Sequence, residues 1–423
     1  MGSPSGRTAC TGKNGQPALR SLARLVESAI AYYLKVAATQ ESTYLVELGF
    51  MPASQAIADP DHPGLFRAGT RAAAPYGDNR VEVHACAATD WTNDNSQRPD
   101  LFEFGFDLVD LSGFEILQNA CEQVRVAGRV NDHEAAKIRE ALEGAVLESS
   151  GGKTLKVLFI AEEGFIMRSA GPNRMSVVGP ESTGMNDHGG ATSVHADQDV
   201  FGTPLTQLMD GRAPTLFRHD SPDGYNHDES TMLVNMWIPL QQITQPLVLA
   251  DGRSIDRRKH QLRYGLATDS FLDRDDDLAV NDIWTFMYDP DQQWYFRSEM
   301  DYRSAYVFDT LSTPHGAAVL PGEETAEQCY LALQAAESAA STGQLAELTA
   351  VLSDAWSIEL PEQTTPALGK AITAMLNVLN EARNDPAAVC EEQAEQWVAS
   401  SRLARQSVVR MSIELRLVVS VTS

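Results

Sequence analysis

Basic residues are scarce in this 423-residue chain: 33 Lys and Arg stand against 58 Asp and Glu, a formal net charge of -25. So acidic a surface repels phosphate backbones and anionic headgroups over the distance that salt permits, and neither nucleic acid nor a membrane surface is an expected partner. Cysteine is sparse as well. The five, Cys10, Cys86, Cys121, Cys329 and Cys390, are scattered without any C-x-x-C spacing, which argues against a zinc ribbon or a thioredoxin-like centre and for reduced thiols in a cytoplasmic protein. No apolar run is long enough to span a bilayer, and the first twenty residues lack the apolar core of a secretory signal. Gly6 stands where a myristoylation motif after Gly2 wants Ser or Thr, so a lipid anchor is not expected. Internal repeats and low-complexity tracts are absent.

What is present is enough hydrophobic residue, 43%, to bury a substantial core. Residues 1–40 read as a flexible polar lead followed by an amphipathic helix, with Leu19, Leu22, Leu25, Val26, Ile30 and Leu34 at helical spacing. From residue 41 the texture changes to short extended pieces broken by Pro, Gly, Asp and Asn, then to a helical stretch over 115–148 and a strand in KVLFIAEEGF. Between Ser193 and Leu333 short strands recur: SVHADQDV, TMLVNMWIPL, PLVLADGRSI, DIWTFMYDP, WYFRSEM, SAYVFDT, GAAVL and EQCYLAL. Many short strands separated by turn residues predict a sandwich, jelly roll or barrel over 41–335. From 336 to 423, Ala, Leu, Glu and Gln dominate, and a C-terminal helical appendage is expected, broken at Pro361, Pro366 and Pro386.

The feature that carries chemistry is His195-Ala196-Asp197. On an extended strand, residues two apart face the same side, so both side chains can reach one ion. Alone, H-x-D is a weak signal, equally met by a surface His beside a solvated Asp. His315, in Thr313-Pro314-His315-Gly316 near the end of the strand-rich region, is the candidate third ligand. His188 in a Gly-rich turn and His219 and His227 in a polar loop compete with it. Two neutral imidazoles and a carboxylate leave open positions on an octahedral ferrous ion, and the same donors also suit a zinc hydrolase. The aromatic residues Trp237, Phe271, Trp284, Tyr288, Trp294 and Tyr295 fit a substrate pocket or a core equally well.

Several blocks in order resemble the asaB-type hydroxylases and desaturases, a family that includes gibberellin desaturase-like and cephamycin methoxylation proteins. They are His195-Ala196-Asp197-Gln198, Asn235-Met236-Trp237-Ile238-Pro239-Leu240, the run Pro246 to Ile255 containing Asp251, Arg253 and Ser254, Tyr288-Asp289-Pro290 with Trp294-Tyr295, and the T-P-H of His315. The similarity spans roughly residues 41 to 335. It implies an α+β protein with a double-stranded β-helix (cupin-like jelly roll) core and flanking helices, Fe(II) held by His195, Asp197 and His315, and oxidative decarboxylation of 2-oxoglutarate. Dioxygen and a small-molecule substrate of secondary metabolism complete the reaction, which hydroxylates or desaturates an unactivated carbon.

One departure stands out. Such enzymes pair a cation with the distal carboxylate of 2-oxoglutarate, commonly an Arg on the strand after the last His, because the guanidinium fork holds a carboxylate bidentately. Cys329 falls at that place, and Trp237-Ile238-Pro239 replaces the family's Trp-Arg-Pro. Arg253, Arg297 and Arg303 are the substitute cosubstrate-binding candidates, Arg253 being the one the family block retains. The contrasting expectation is a catalytically degenerate metal-binding β-helix acting as a binding or scaffold module.

Overall fold

The computed structural model describes residues 42–60, 62–69, 81–93, 98–149, 152–161, 165–178, 184–198, 231–267, 280–353 and 360–422. The chain divides into two compact units, Met1–Thr43 and Tyr44–Ser423. The amphipathic helix expected over 19–34 and the loop residues His219 and His227 lie outside the described residues, as does Phe271.

The first strands are β1 (Thr43–Phe50), β2 (Ala56–Ala58), β3 (Phe66–Ala68), β4 (Glu82–Asp90) and β5 (Phe106–Asp110). The helical stretch expected over 115–148 is two helices, α1 (Glu115–Ala127) and α2 (Asp132–Leu142). Gly128 takes the left-handed conformation that ends α1, and the Asn131 side chain accepts from the His133 and Glu134 amides to start α2. There follow β6 (Val146–Glu148), β7 (Thr154–Ile160), β8 (Ile166–Ala170), β9 (His195–Ala196), β10 (Thr231–Pro239) and β11 (Leu247–Ala250). A one-turn helix α3 (Arg257–His260) leads into β12 (Gln261–Ala267), β13 (Val280–Phe286), β14 (Trp294–Phe296), β15 (Ser304–Asp309) and β16 (His315–Ala317). Five helices come next, α4 (Glu323–Ser341), α5 (Leu345–Ser353), α6 (Pro366–Asn384), α7 (Pro386–Cys390) and α8 (Ala394–Val408), and β17 (Arg410–Thr422) closes the chain.

The strands form two curled sheets. One runs β1-β4-β14-β11-β16-β9-β13-β12-β3-β2 and the other β5-β15-β10-β17-β7-β6, with β8 also paired to β17. From β9 onward the chain passes repeatedly between the sheets: β9 in the first, β10 in the second, β11 and β14 in the first, β15 in the second, β16 in the first, β17 in the second. That alternation winds a double-stranded β-helix, so the α+β jelly-roll architecture is as expected.

Alternation along the strands sorts side chains into layers. On β10 and β17, Met236, Ile238, Ile413, Leu415 and Leu417 pack in the core that α1 and α2 cover, while Trp237 joins Tyr306, Phe308, Phe104, Phe106, Tyr295 and Leu249 between the sheets. On β11, Val248 and Ala250 face the opposite way and pack with buried positions of α4, α6 and α8. Each sheet is thus covered outside by helices and shares an aromatic interior.

Two expectations about the C-terminal third need correction. EQCYLAL is not a strand but part of α4, where Ala326, Cys329, Ala332, Leu333 and Ala336 fall at helical spacing and are buried. The segment 336–423 is not helical throughout, because Arg410–Thr422 returns as a central strand of the second sheet, paired with β10, β7 and β8.

Candidate metal centre

Register brings the two histidines together. His315 of β16 pairs directly with His195 of β9, and opposed residues of an antiparallel pair share a face with β-carbons a few ångströms apart. Their rings stand 4.5 Å apart, centroid to centroid. Asp197, two residues past His195, places Oδ1 3.3 Å from His195 Nε2 and 3.7 Å from His315 Nε2. One donor atom from each of the three lies within 4.8 Å of the others.

The same local device aims both imidazoles. His195 Nδ1 lies 2.8 Å from the Ser193 carbonyl and His315 Nδ1 2.9 Å from the Thr313 carbonyl. A proton on Nδ1 of each leaves Nε2 as a lone pair directed at the shared point. The Thr313 hydroxyl donates to the Gly105 carbonyl at 2.7 Å, and Gly105 has φ +95°, where a β-carbon would approach Thr313 Oγ1 to 2.8 Å. Only glycine lets that loop close on the segment carrying His315. The other carboxylate oxygen of Asp197 is held by the Asn235 amide, and Asn235 Oδ1 accepts from the Thr310 hydroxyl at 2.8 Å. Asp197 Oδ1 is left facing the imidazoles.

Protonation states suit a cation. Burial, and then the neighbouring His195, push the His315 imidazole down to about 4, so it is neutral at physiological pH. Burial works in the opposite sense on Asp197, but the imidazoles of His315 and His195 and the Arg416 guanidinium outweigh it and hold the carboxyl well below the usual carboxylate range. An ionised carboxylate and a neutral imidazole are the forms that bind metal. The donor set therefore fits a divalent ion with vacant positions, and it makes His188 the lesser candidate: that ring is spent on the Gly184 carbonyl at 2.8 Å.

The three expected cosubstrate cations each have contacts of their own, although Arg297 Nε is buried without a hydrogen-bond partner among the described residues. Arg253, half exposed, forks onto both oxygens of Asp251 and lies over the Phe104 ring. Arg297 donates to the Trp91 and Thr92 carbonyls at 3.4 and 3.3 Å. Arg303 is bound to Asp301 at the surface.

Cations that sequence reasoning missed line the inner face of β17. Arg410, Ser412, Glu414 and Arg416 alternate with Met411, Ile413, Leu415 and Leu417, and in register Ser412, Glu414 and Arg416 lie opposite Pro239, Trp237 and Asn235. Arg410 is 1% exposed and Ser412 fully buried, yet Arg410 Nε and Nη1 and Ser412 Oγ have no hydrogen-bond partner among the described residues. A β-carbon on Gly190 would lie 3.6 Å from both Arg410 Nη2 and the β-carbon of Ala317, which sets that guanidinium beside the strand bearing His315. Burial pulls the Arg410 pKa down to about 10, still charged at neutral pH. The nearest compensation for Arg410 is shared or weak: Glu414 is paired with Arg168 at 2.8 Å, burial pushes the Glu323 carboxyl up to about 8, and the Trp237 ring centroid lies 5.8 Å from the guanidinium carbon. An uncompensated buried guanidinium costs several kcal/mol, on the order of what a bound anion restores.

Comparison with known proteins gives the following. Residues 165–324 match the family model described as "Oxidoreductase/YMDC permease-like domain". Among the described residues, no helix is long and apolar enough to cross a membrane. A solved structure of the iron and alpha-ketoglutarate-dependent endoperoxidase NvfI is similar at 12% identity over 90% of this chain and 99% of that one, with a TM-score of 0.43. The same protein in a different conformation gives 12% identity over 90% and 98%, with a TM-score of 0.45. No curated protein matches the chain.

Proposed function

We propose that the chain is a non-haem Fe(II)/2-oxoglutarate-dependent dioxygenase that hydroxylates or desaturates a small-molecule metabolite, in line with the asaB-type resemblance of its sequence blocks. His195, Asp197 and His315 are the metal ligands, and Arg410 with Ser412 receives the distal carboxylate of 2-oxoglutarate. The observation that carries this reading is the occurrence, inside one β-helix, of a three-donor cluster and a buried guanidinium that makes no ion pair among the described residues. When bound, ferrous iron and 2-oxoglutarate supply the power to cleave an unactivated C–H bond, with dioxygen consumed and succinate and carbon dioxide released.

The chain's own contribution is positional. The Ser193 and Thr313 carbonyls fix the imidazoles and Asn235 fixes the carboxylate, so the donor set needs little reorganisation to accept the ion. Arg410 Nε and Nη1 and the Ser412 hydroxyl have no partner among the described residues and are donors of the kind a carboxylate accepts. The aromatic wall around Phe308, whose ring lies 4.6 Å from that of His315, keeps the interior dry. The alternative of a degenerate scaffold loses its motive, since Cys329 sits inside α4 and the strand after His315 begins with Arg410. A cytoplasmic site of action, in keeping with unpaired buried thiols at Cys86, Cys121 and Cys329, belongs to the same proposal.

The test is an anaerobic titration of the Fe(II)-loaded protein with 2-oxoglutarate, followed by the weak visible metal-to-ligand band. The band should form in the wild type and weaken in R410Q. Its absence in the wild type, together with zinc as the metal retained on purification, would overturn the reading in favour of a hydrolase.

A further inference from the structure

The inner face of β17 carries a second cation that the proposed cosubstrate does not use. Arg416 lies directly opposite Asn235 in the β10–β17 ladder, and the Asn235 amide is bound to Asp197. Opposed side chains share a face, so Arg416 projects on the wall of the triad itself. Its Nε is buried and has no hydrogen-bond partner among the described residues. Asp197 has ion-pair contacts with His195 and His315, and Arg416 influences its charge without joining them. Glu414, the carboxylate nearest in sequence on that face, is already taken by Arg168 at 2.8 Å.

A guanidinium held beside a metal-binding carboxylate, but not paired to it, is placed for an anion that comes from outside. Pairing with Asp197 would withdraw the oxygen that the metal needs, and Arg410 already provides for the distal carboxylate of the cosubstrate. A chain of net charge -25 repels anionic ligands at long range, so selection of one requires a built cation at short range. The adjoining wall is apolar and aromatic, with Trp237, Tyr306 and Phe308 buried in it. We infer that the organic substrate is a carboxylic acid with an apolar body, its carboxylate held by Arg416 and its carbon skeleton laid against the Phe308 and Trp237 side of the β-helix. This deepens the oxygenase reading and rests on it.

The probes are phenylacetate and phenylacetamide, which share a body and differ in charge, titrated calorimetrically into the anaerobic protein loaded with Fe(II) and 2-oxoglutarate. The wild type should prefer the acid by about tenfold or more, as charge-assisted hydrogen bonds are worth more than neutral ones. R416Q should lose the preference, R416K should keep part of it, and R410Q should keep it while losing 2-oxoglutarate affinity. Melting curves of R416Q and R416K confirm that both are folded. Absence of any preference for the acid in the wild type, or a preference that survives R416Q, overturns the inference. Repeating the titration without iron and 2-oxoglutarate separates the two readings: if 2-oxoglutarate never binds but the preference remains and depends on Arg416, the oxygenase reading fails and the anion site stands.

Discussion

The triad and the β17 wall face one interior and are built on opposite terms. At the triad each polar atom not aimed at the shared point already has a protein partner: two backbone carbonyls take the Nδ1 positions, and Asn235 takes the outer carboxylate oxygen. On β17 the reverse holds, with Arg410 Nε and Nη1, Ser412 Oγ and Arg416 Nε buried and unpartnered among the described residues. Buried polar groups in folded proteins are nearly all satisfied, so each unpartnered one calls for an explanation, and for those on β17 the proposed anions supply it. The difference separates groups that the protein orients by itself from groups to which the proposal assigns outside anions.

Breaking the triad should have the largest effect. H195A or D197A should abolish stoichiometric iron binding, measured by metal analysis after dialysis, with melting temperature little changed. Stoichiometric iron in either variant would mean that the ion sits elsewhere. The β17 wall should respond differently. R410M should lower 2-oxoglutarate affinity by about a hundredfold, since charge-assisted hydrogen bonds contribute roughly 1.5–3 kcal/mol each. Without ligand, R410M should be as stable as the wild type or more stable by about 1–4 kcal/mol in chemical denaturation, because an uncompensated buried charge is exchanged for an apolar side chain. A strongly destabilised R410M would show that the protein itself satisfies the guanidinium, and the comparison would fail.

How far each region could be read from the sequence follows from the same contrast. His195 and Asp197 are two apart on a strand, so local spacing exposes them, whereas His315 is singled out by its place near the end of the strand-rich region and by the resemblance of its T-P-H segment. The run of short strands and turn residues leaves a sandwich, a jelly roll and a barrel open, and the family resemblance selects the jelly roll among them. Arg410 was not legible, because α4 to α8 separate it from His315 and the composition of that insertion led the whole tail to be read as helix. The signal was present: in RMSIELRLVVSV polar and apolar residues alternate with period two, the pattern of a half-buried strand. EQCYLAL failed for the opposite reason. Its apolar residues fit either a short strand or a helix, and the Ala- and Glu-rich sequence around it settles the helix. Arg253 is singled out by the resemblance of its block, and its guanidinium forks onto Asp251.

A smaller effect should come from the hydrogen bonds that orient the triad. N235A removes the donor to Asp197 Oδ2 and leaves the Thr310 hydroxyl without its acceptor. Iron affinity should fall about tenfold, the usual cost of losing a group that supports a ligand. Competition with a chelator measures it. The same substitution should leave the acid preference assigned to Arg416 within twofold, since Arg416 does not bond to Asn235; a joint loss would merge the two regions into one network.

The gentlest discrimination is by pH, in the metal-free protein. The His315 imidazole has its pKa lowered from 6.5 to about 4 in the folded state, so between those values the unfolded chain binds a proton that the folded one refuses. This group's contribution to stability falls as pH drops through that window, by up to about 1.4 kcal/mol per pH unit. The Glu323 carboxyl, raised to about 8, contributes with the opposite sign, so the difference between wild type and H315Q is what reads His315. Asp197, held ionised below the usual carboxylate range, adds a loss of the same sign as pH falls through and below 3.8. H315Q should flatten the upper part of this slope in denaturation curves taken from pH 7 to 4. R410M should keep the difference that H315Q makes, because the Arg410 guanidinium, with its pKa pulled down to about 10, carries its charge throughout that range and does not titrate in it. A slope identical in H315Q and wild type would place the titrating group elsewhere than His315 and remove the electrostatic half of the contrast between the two regions.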